Sequence, residues 1–232
     1  MHETRKKYTV LLLSAPIGSG HRLAAEALEQ ALADRPDVAV IHGNSFDFFP
    51  QFLGQVFLGT YLWLLKCCPW LYKLAYSWGN KQGGSLWMRE LLNRLLAWLG
   101  GSYLRSVQPD AVIATHATPA GIIGYYKKQH PKLWLGAVVT DFTIHRWWVC
   151  DGVDTYFIAD ELLRDKLATD ADIQATGIPV RQQFMIKHDK QKCREFFGWD
   201  ETERVCLLMG GGEGLLPMAE IIMALQRAAL KN

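Results

Sequence analysis

Residues 8–32 read YTVLLLSAPIGSGHRLAAEALEQAL and predict a buried strand, a tight loop and the start of a helix, in that order. The apolar beginning is continuous, as expected of a parallel strand that is covered on both faces. Gly18 and Gly20 allow a sharp turn in which backbone N–H groups can approach an anion or a polar head group. His21 follows them, and alanine, leucine and glutamate then recur at helical spacing. The segment therefore places an imidazole where α/β folds bind their ligands.

The composition is that of a globular protein without a dedicated nucleic-acid surface. The chain has 232 residues, half of them hydrophobic, and a formal net charge of +2. That length suffices for one full core and more, and a near-neutral charge argues against a basic stripe for nucleic acid. The five cysteines, an odd number without zinc-type spacing, favour a reduced, cytosolic protein, and we predict no metal site. The apolar N-terminal run leads straight into the glycine loop, so we interpret it as a core strand and not as a signal peptide.

Strands and helices alternate along most of the chain, which predicts an α/β fold with a doubly wound, Rossmann-like parallel sheet. The predicted strands are Thr9–Leu13, Val38–His42, Ala111–Thr115, Leu133–Val139, Thr155–Ala159, Asp172–Thr176 and Val205–Met209. The predicted helices are Gly20–Leu32, Leu86–Arg105, Pro119–Lys128, Asp189–Phe197 and Leu215–Leu230. Most of these strands are continuous runs of valine, isoleucine and leucine, as burial on both faces requires.

Residues 45–105 interrupt this alternation with an aromatic-rich stretch. Residues 46–78 read FDFFPQFLGQVFLGTYLWLLKCCPWLYKLAYSW, and five tryptophans fall between positions 63 and 98. A membrane-spanning helix needs about 20 predominantly apolar residues, whereas prolines, glycines and lysines interrupt this run. Aromatic residues flanked by lysines fit helices that lie on a bilayer surface. Ordinary core helices that use tryptophan for bulk fit the pattern equally well, and the sequence leaves both interpretations open.

The pattern predicts one complete domain followed by the first elements of a second domain. We expect a Rossmann-like domain over residues 1–178, a connector over residues 179–204, and the first strand, glycine loop and helix of a second Rossmann-like domain over residues 205–232. One strand and one helix cannot bury both faces of that strand, and a mononucleotide-binding half needs several such units. The second domain is therefore expected to be truncated.

His21 lies in the first turn of the first predicted helix, near the positive end of its dipole. That position favours the neutral imidazole that a general base requires. A solvated histidine in a tight turn explains the same residue without catalysis, since short glycine motifs recur by chance. A dinucleotide site is disfavoured, because Leu23 takes the place of the third glycine in a GxGxxG motif and no acidic residue ends the second strand.

Polar side chains also follow two later strands. His116 comes directly after the third predicted strand, and Asp141 follows the fourth, with His145 and Trp147 shortly beyond it. The carboxyl ends of parallel strands open toward the ligand crevice. A carboxylate there can orient a histidine or hold a sugar or glycerol hydroxyl, and tryptophan can stack on a sugar ring. A lining histidine, and a capping aspartate beside core aromatic residues, are the structural explanations of the same pattern.

Four motifs occur in an order that resembles a known enzyme family. They are GSGHRLAAEAL, PDAVIATHATP, VVTDFTIHRWW followed by DGVDTYFIADE, and TGIPVRQQF. In this order they resemble the processive diacylglycerol glucosyltransferases and the related monogalactosyldiacylglycerol synthases, over nearly the whole chain. The resemblance implies a GT-B glycosyltransferase whose N-terminal domain binds the lipid acceptor at the membrane surface and whose C-terminal domain binds a UDP-sugar. The implied reaction transfers a hexose from the UDP-sugar to the 3-hydroxyl of diacylglycerol, with inversion at the anomeric carbon.

The resemblance also implies roles for individual residues. His21, in the family's glycine loop, is the implied catalytic base that takes the proton of the acceptor hydroxyl. The acceptor cleft is expected to be lined by Gly18, Gly20, His116, Asp141, His145 and Trp147. The MGGGEG segment implies contacts to the donor diphosphate by Gly210, Gly211, Gly212 and Glu213.

We expect no cofactor, with a UDP-hexose as the co-substrate. The expected partners are diacylglycerol, the UDP-sugar and an anionic membrane surface, without nucleic acid. The expected location is the cytoplasm, with peripheral association at the inner face of the cell membrane. Two alternatives stay open: a non-catalytic membrane- or partner-binding remnant of such an enzyme, and a GT-B enzyme that acts on a polyprenyl-linked sugar.

Overall fold

The structure, a computed structural model, describes residues 7–15, 18–48, 86–211 and 216–229, together with residues 56, 59–60, 63, 67–68, 70 and 77. The chain divides into two compact units, Met1–Gln182 and Gln183–Asn232. The domain boundaries expected from the sequence stay predictions.

The first unit is an α/β unit built on one parallel sheet. Its strands are β1 (Tyr8–Ser14), β2 (Val38–Asn44), β3 (Ala111–Ala114), β4 (Trp134–Val138), β5 (Thr155–Ile158) and β6 (Asp172–Ala175). Its helices are α1 (Ser19–Leu32), α2 (Leu86–Val107) and α3 (Ala117–Lys127). The strand order is β2-β1-β3-β4-β5-β6, and every described pairing is parallel. The predicted Rossmann-like α/β fold is confirmed.

The sheet has its topological switch point between β1 and β3. The chain moves outward from β1 to β2 and then returns to the other side of β1, so the strand order reverses there. In open α/β sheets the ligand crevice forms at this point, outside the carboxyl ends of the strands. Leu13 of β1 pairs with Ala114 of β3, and Ala114 pairs with Ala137 of β4. The residues that follow these three strands therefore emerge side by side at one edge.

The core follows from strands that are covered on both faces. Leu11, Leu12 and Leu13, which are consecutive in β1, are all completely buried, as a central parallel strand requires. Helices α2 and α3 pack against each other. Near its carboxyl end, α3 contacts the turn before β5, where a Cβ at Gly124 would overlap the backbone oxygen of Asp151. Glycine is therefore required where this helix and this turn meet.

The second unit contains two described helices, α4 (Lys190–Phe197) and α5 (Met218–Ala229). The predicted strand Val205–Met209 is wrong, because residues 203–210 have no helical or strand structure. Among the strands of the described residues none pairs with this segment, and a strand needs a neighbour for its backbone hydrogen bonds. Residues 205–209 are apolar, but an apolar run forms a β-strand only where a second strand pairs with it.

Most of the aromatic-rich stretch, residues 49–85 apart from a few single positions, lies outside the described residues. Helix α2 is the portion of residues 45–105 that is described most completely. Within the described portion of the chain, no helix combines the length and the apolar character that crossing a bilayer requires.

Candidate active site

His21 lies at the switch point, in the first turn of α1, and its ring is half-buried. Its Nδ1 lies 2.8 Å from the backbone oxygen of Thr115 and 2.7 Å from Oγ1 of Thr140. Thr115 directly follows β3, and Thr140 lies just beyond β4. One imidazole thus joins the carboxyl ends of three neighbouring strands, which fixes its place in the crevice.

The two glycines before His21 differ in what they require. Gly18 has a φ of +83°, and a Cβ there would lie 3.2 Å from Cδ2 and 3.6 Å from Nε2 of His21. Gly18 therefore needs to be glycine both for its left-handed backbone and for the room it leaves beside the imidazole. A Cβ at Gly20 would meet no atom within 4 Å. The structure gives Gly20 no comparable steric constraint.

His116 packs edge-on against His21, with ring centroids 4.6 Å apart and an interplanar angle of 88°. Its Nδ1 accepts the backbone N–H of Thr118 at 3.1 Å and so caps the N-terminus of α3. Because Nδ1 is the acceptor, the neutral ring carries its proton on Nε2. Burial, assisted by the electrostatic influence of the neighbouring His21, lowers the pKa of His116 to about 3. His116 is therefore a neutral side chain with one N–H at physiological pH.

We expect a fall in pH from 7 to 5 to destabilise the fold through His116. The unfolded chain takes up this proton near the ordinary pKa of 6.5, whereas the folded chain does so only at about 3. Because the unfolded state binds more protons in this range, the free energy of unfolding falls as the pH drops below 6.5, by about 2 kcal/mol at pH 5. Urea unfolding at both pH values measures the effect. His116→Asn keeps a capping side chain and is expected to lose this portion of the pH dependence; an unchanged slope would contradict the assignment.

Asp141 is connected to the two histidines through a buried tryptophan. Its Oδ2 accepts a hydrogen bond from Nε1 of Trp148 at 3.1 Å. The ring of Trp148 is buried and lies 6.4 Å from the ring of His116, centroid to centroid. The carboxylate itself is exposed. The carboxylate of Asp141 thus lies at the rim of the crevice, and the ring of Trp148 forms part of the crevice wall.

His145 and Trp147 lie in the loop that leads from Asp141 to Trp148. Nδ1 of His145 accepts the backbone N–H of Trp147 at 3.2 Å, and their ring centroids are 6.2 Å apart. Both side chains are half-buried. The structure therefore brings these two expected cleft residues together in one short turn.

The loop that carries these residues is held by side chains from the sheet and from α2. The hydroxyl of Tyr156, on β5, donates to the backbone oxygen of Trp148 at 2.8 Å and accepts the N–H of Cys150 at 3.0 Å. Nη1 of Arg89, on α2, donates to the backbone oxygens of Val149 at 2.9 Å and Arg146 at 3.2 Å. Burial raises the pKa of Tyr156, so the phenol keeps the proton that it donates. This wall of the crevice is consequently tied to rigid elements.

The residues expected to bind the donor belong to the second unit. Gly210 and Gly211 are described, and Gly211 has a φ of +72°, which favours glycine. Gly212 and Glu213 lie outside the described residues. Within the described part of the chain, no group of three or more His, Cys, Asp or Glu side chains could hold a metal ion.

Four residues of this site were not expected from the sequence: Arg89, Thr140 and Tyr156, which act through their side chains, and Thr115, which acts through its backbone oxygen. A signal existed for the two threonines, because each directly precedes an expected site residue at the end of a strand, His116 in one case and Asp141 in the other. For Arg89 no signal existed, since its contacts lie 57 and 60 residues away in the chain.

Residues 21–180 match the protein-family model described as monogalactosyldiacylglycerol (MGDG) synthase. The processive diacylglycerol beta-glucosyltransferase of Bacillus pumilus (strain SAFR-032) is 27% identical over 223 residues, which cover 92% of this chain and 56% of that protein. The enzyme of the same name from Bacillus subtilis (strain 168) is 26% identical over 217 residues, 89% of this chain and 55% of the relative. The probable monogalactosyldiacylglycerol synthase 2, chloroplastic, of Oryza sativa subsp. indica is 28% identical over 247 residues, 96% of this chain and 50% of the relative. The chain thus spans about half the length of the curated relatives it matches.

Proposed function

The chain belongs to the monogalactosyldiacylglycerol synthase family, and from that premise we propose that it supplies the acceptor side of a glycolipid-synthesising glycosyltransferase. The proposed reaction transfers a hexose from a UDP-sugar to the 3-hydroxyl of diacylglycerol. One observation carries the proposal: a half-buried imidazole, that of His21, is anchored at Nδ1 at the switch point of the sheet. It lies at the start of the segment that matches the family.

In the proposed mechanism, His21 acts as the general base. As the acceptor oxygen attacks the anomeric carbon, its proton passes to the imidazole, and the bond from the sugar to UDP breaks on the opposite face, with inversion. A positioned base of this kind contributes about 10²- to 10⁴-fold to the rate. The negative charge that develops on UDP requires hydrogen-bond donors, a role that we assign to the glycine segment from Gly210 to Glu213.

The remaining crevice residues are proposed to hold the acceptor. The neutral His116 offers an N–H to an oxygen of the lipid, and the exposed carboxylate of Asp141 can accept a glycerol hydroxyl. His145 and Trp147 extend the same wall with aromatic surface, which suits the apolar part of a lipid. Gly18 and Gly20 allow backbone N–H groups to approach polar atoms of the acceptor.

A membrane-facing surface for this acceptor is supported by α2. Trp87, Leu91, Leu95 and Trp98 are exposed at helical spacing and form one apolar face. The helix starts beside the crevice, where Arg89 binds the loop of residues 146–149. A large exposed apolar face marks an interaction site, and here it fits peripheral docking on a bilayer. Among the described residues, Arg94 on the same helix has no salt-bridge partner, which favours an anionic surface such as the inner face of the cell membrane.

We expect Leu95→Ser to weaken binding to phospholipid vesicles by about 10- to 100-fold, because burial of a leucine side chain contributes about 1.5–3 kcal/mol. Vesicle sedimentation across a lipid titration measures the partition coefficient. Leu225→Ser in α5 is the matched control, since Leu225 is 45% exposed and Leu95 is 50% exposed. Equal losses in the two variants would mean that α2 has no special part in docking.

The function itself is tested with vesicles that contain diacylglycerol. The chain is incubated with radiolabelled UDP-glucose or UDP-galactose, and the lipid products are separated. Labelled glycolipid that depends on diacylglycerol supports the whole proposal, and diacylglycerol-dependent retention without transfer supports an acceptor-binding module. Vesicle binding that added diacylglycerol does not strengthen, together with the absence of labelled glycolipid, contradicts the proposed acceptor, as does transfer only when a polyprenyl-linked sugar replaces diacylglycerol.

A further inference from the structure

The orientation of the His21 ring is determined by what its Nδ1 contacts. Two oxygens approach this nitrogen, the backbone oxygen of Thr115 at 2.8 Å and Oγ1 of Thr140 at 2.7 Å. Both contacts come from residues about a hundred positions away in the chain, so they are tertiary and not part of α1. The nitrogen therefore occupies a fixed place between the ends of β3 and β4.

The carbonyl of Thr115 decides which nitrogen carries the proton in the neutral ring. A carbonyl oxygen can only accept a hydrogen bond, whereas a threonine hydroxyl can accept or donate. An unprotonated Nδ1 at 2.8 Å would set two lone pairs against each other. Nδ1 must therefore be the donor, its N–H is shared between the carbonyl and the hydroxyl oxygen, and the lone pair lies on Nε2.

The Nε2 edge of the ring faces the glycine loop. A Cβ at Gly18 would lie 3.6 Å from Nε2, so glycine keeps that side of the imidazole uncrowded. His116, which packs edge-on against the ring, is neutral and adds no positive charge beside it. The structure therefore leaves an unprotonated nitrogen at the side of the ring where a substrate hydroxyl could approach.

We propose that the carbonyl of Thr115 holds His21 as the Nδ1–H tautomer, which makes Nε2 the proton-accepting atom, and that Thr140 is a positioning residue which fixes the ring in this orientation. When Nε2 takes a proton from the acceptor hydroxyl, the ring becomes an imidazolium, and both oxygens then stabilise the positive N–H at Nδ1. The role in transfer rests on the proposed function, whereas the tautomer does not.

Nitrogen NMR of the full chain tests the tautomer without any substrate. Long-range ¹⁵N–¹H spectra of ¹⁵N-histidine-labelled protein, recorded at alkaline pH and assigned with His21→Gln, distinguish a protonated from an unprotonated ring nitrogen. We expect Nδ1–H for His21 in the wild type, in Thr140→Ser and in Thr140→Val, because the carbonyl of Thr115 is present in all three. An Nε2–H ring in any of them overturns the inference.

Kinetics of lipid glycosylation provide the second readout. Thr140→Val is expected to lower kcat by about tenfold to a hundredfold, since a hydrogen bond to a charged group is lost in the transition state, with KM for diacylglycerol unchanged. Thr140→Ser restores the oxygen and should recover kcat to within about threefold, and the exposed Thr143→Val is the matched control. A rise in KM alone, or no rescue by serine, overturns the positioning role. A failure of the proposed function would instead abolish the glycolipid signal in the wild type while leaving the NMR result intact.

Discussion

Replacing His21 by alanine is expected to lower kcat for glycolipid formation by about 10²- to 10⁴-fold while vesicle binding stays unchanged. The physical reason is that the acceptor hydroxyl is a poor nucleophile until its proton is removed, and the imidazole at the switch point is the group proposed to remove it. Vesicle binding is assigned to α2 (Leu86–Val107), which the substitution does not touch. The measurement is a glycolipid assay at saturating UDP-sugar and diacylglycerol, with sedimentation of the same protein on the same vesicles.

The matched control for this experiment is His130→Ala. His130 is exposed and stacks on Tyr126 with ring centroids 4.0 Å apart. It precedes β4 and so lies near the amino ends of the strands, whereas the crevice lies at their carboxyl ends. This control should retain full activity. Retained turnover in His21→Ala would remove His21 as the base. A parallel loss of vesicle binding would show that the substitution acts on docking instead.

The largest effect on stability is expected from Gly124→Ala, which should lower the free energy of unfolding by about 3 kcal/mol or more. In most helix interiors this change is favourable by about 1 kcal/mol. Here the new methyl group would overlap the backbone oxygen of Asp151. Because that neighbour is main chain, it cannot rotate away as a flexible side chain could, so α3 and the turn before β5 must move apart. Urea unfolding monitored by tryptophan fluorescence measures the change.

Gly20→Ala is the same chemical change in a different setting. The position is helical, and a Cβ there would meet no atom within 4 Å. We therefore expect an unchanged or slightly higher stability, by up to about 1 kcal/mol. The two variants should shift the unfolding midpoint in opposite directions. If both destabilise by a similar amount, the steric explanation for Gly124 is wrong.

The elements of the first unit could be predicted because each carries its own local signal. Strands such as β1 are continuous apolar runs, and α1 shows helical spacing directly after a glycine loop, so the ends of predicted and observed elements differ by at most two residues. The strand predicted at Val205–Met209 failed because its apolar pattern specifies an extended segment but not the neighbours that a sheet needs. A β-strand therefore requires both a suitable local sequence pattern and a neighbouring strand to pair with.

The sequence predicts which strand ends carry the site residues, but not which of those residues contact one another. His21, His116 and Asp141 each follow a predicted strand, and parallel topology alone places such residues along one edge. The contacts between them could not be predicted, because the bond from His21 to Thr115 depends on strand order and register across 94 residues of chain. The same limit applies to Thr140: the sequence shows that it lies at a strand end beside Asp141, but not that it contacts His21.

One ring at position 116 performs two tasks that cannot be separated. Its Nδ1 caps the N-terminus of α3, and the same ring packs edge-on against His21. Adding a proton to this ring would remove the lone pair that Thr118 uses and would set a cation against the positive end of that helix. Because the pKa of folded His116 is about 3, only acid near that value would protonate the ring, fray the first turn of α3 and alter the surroundings of His21 in one event. Among replacements, only short side chains with an oxygen in the same place could preserve the helix start, so the chemistry at this position can be redesigned only within that narrow set.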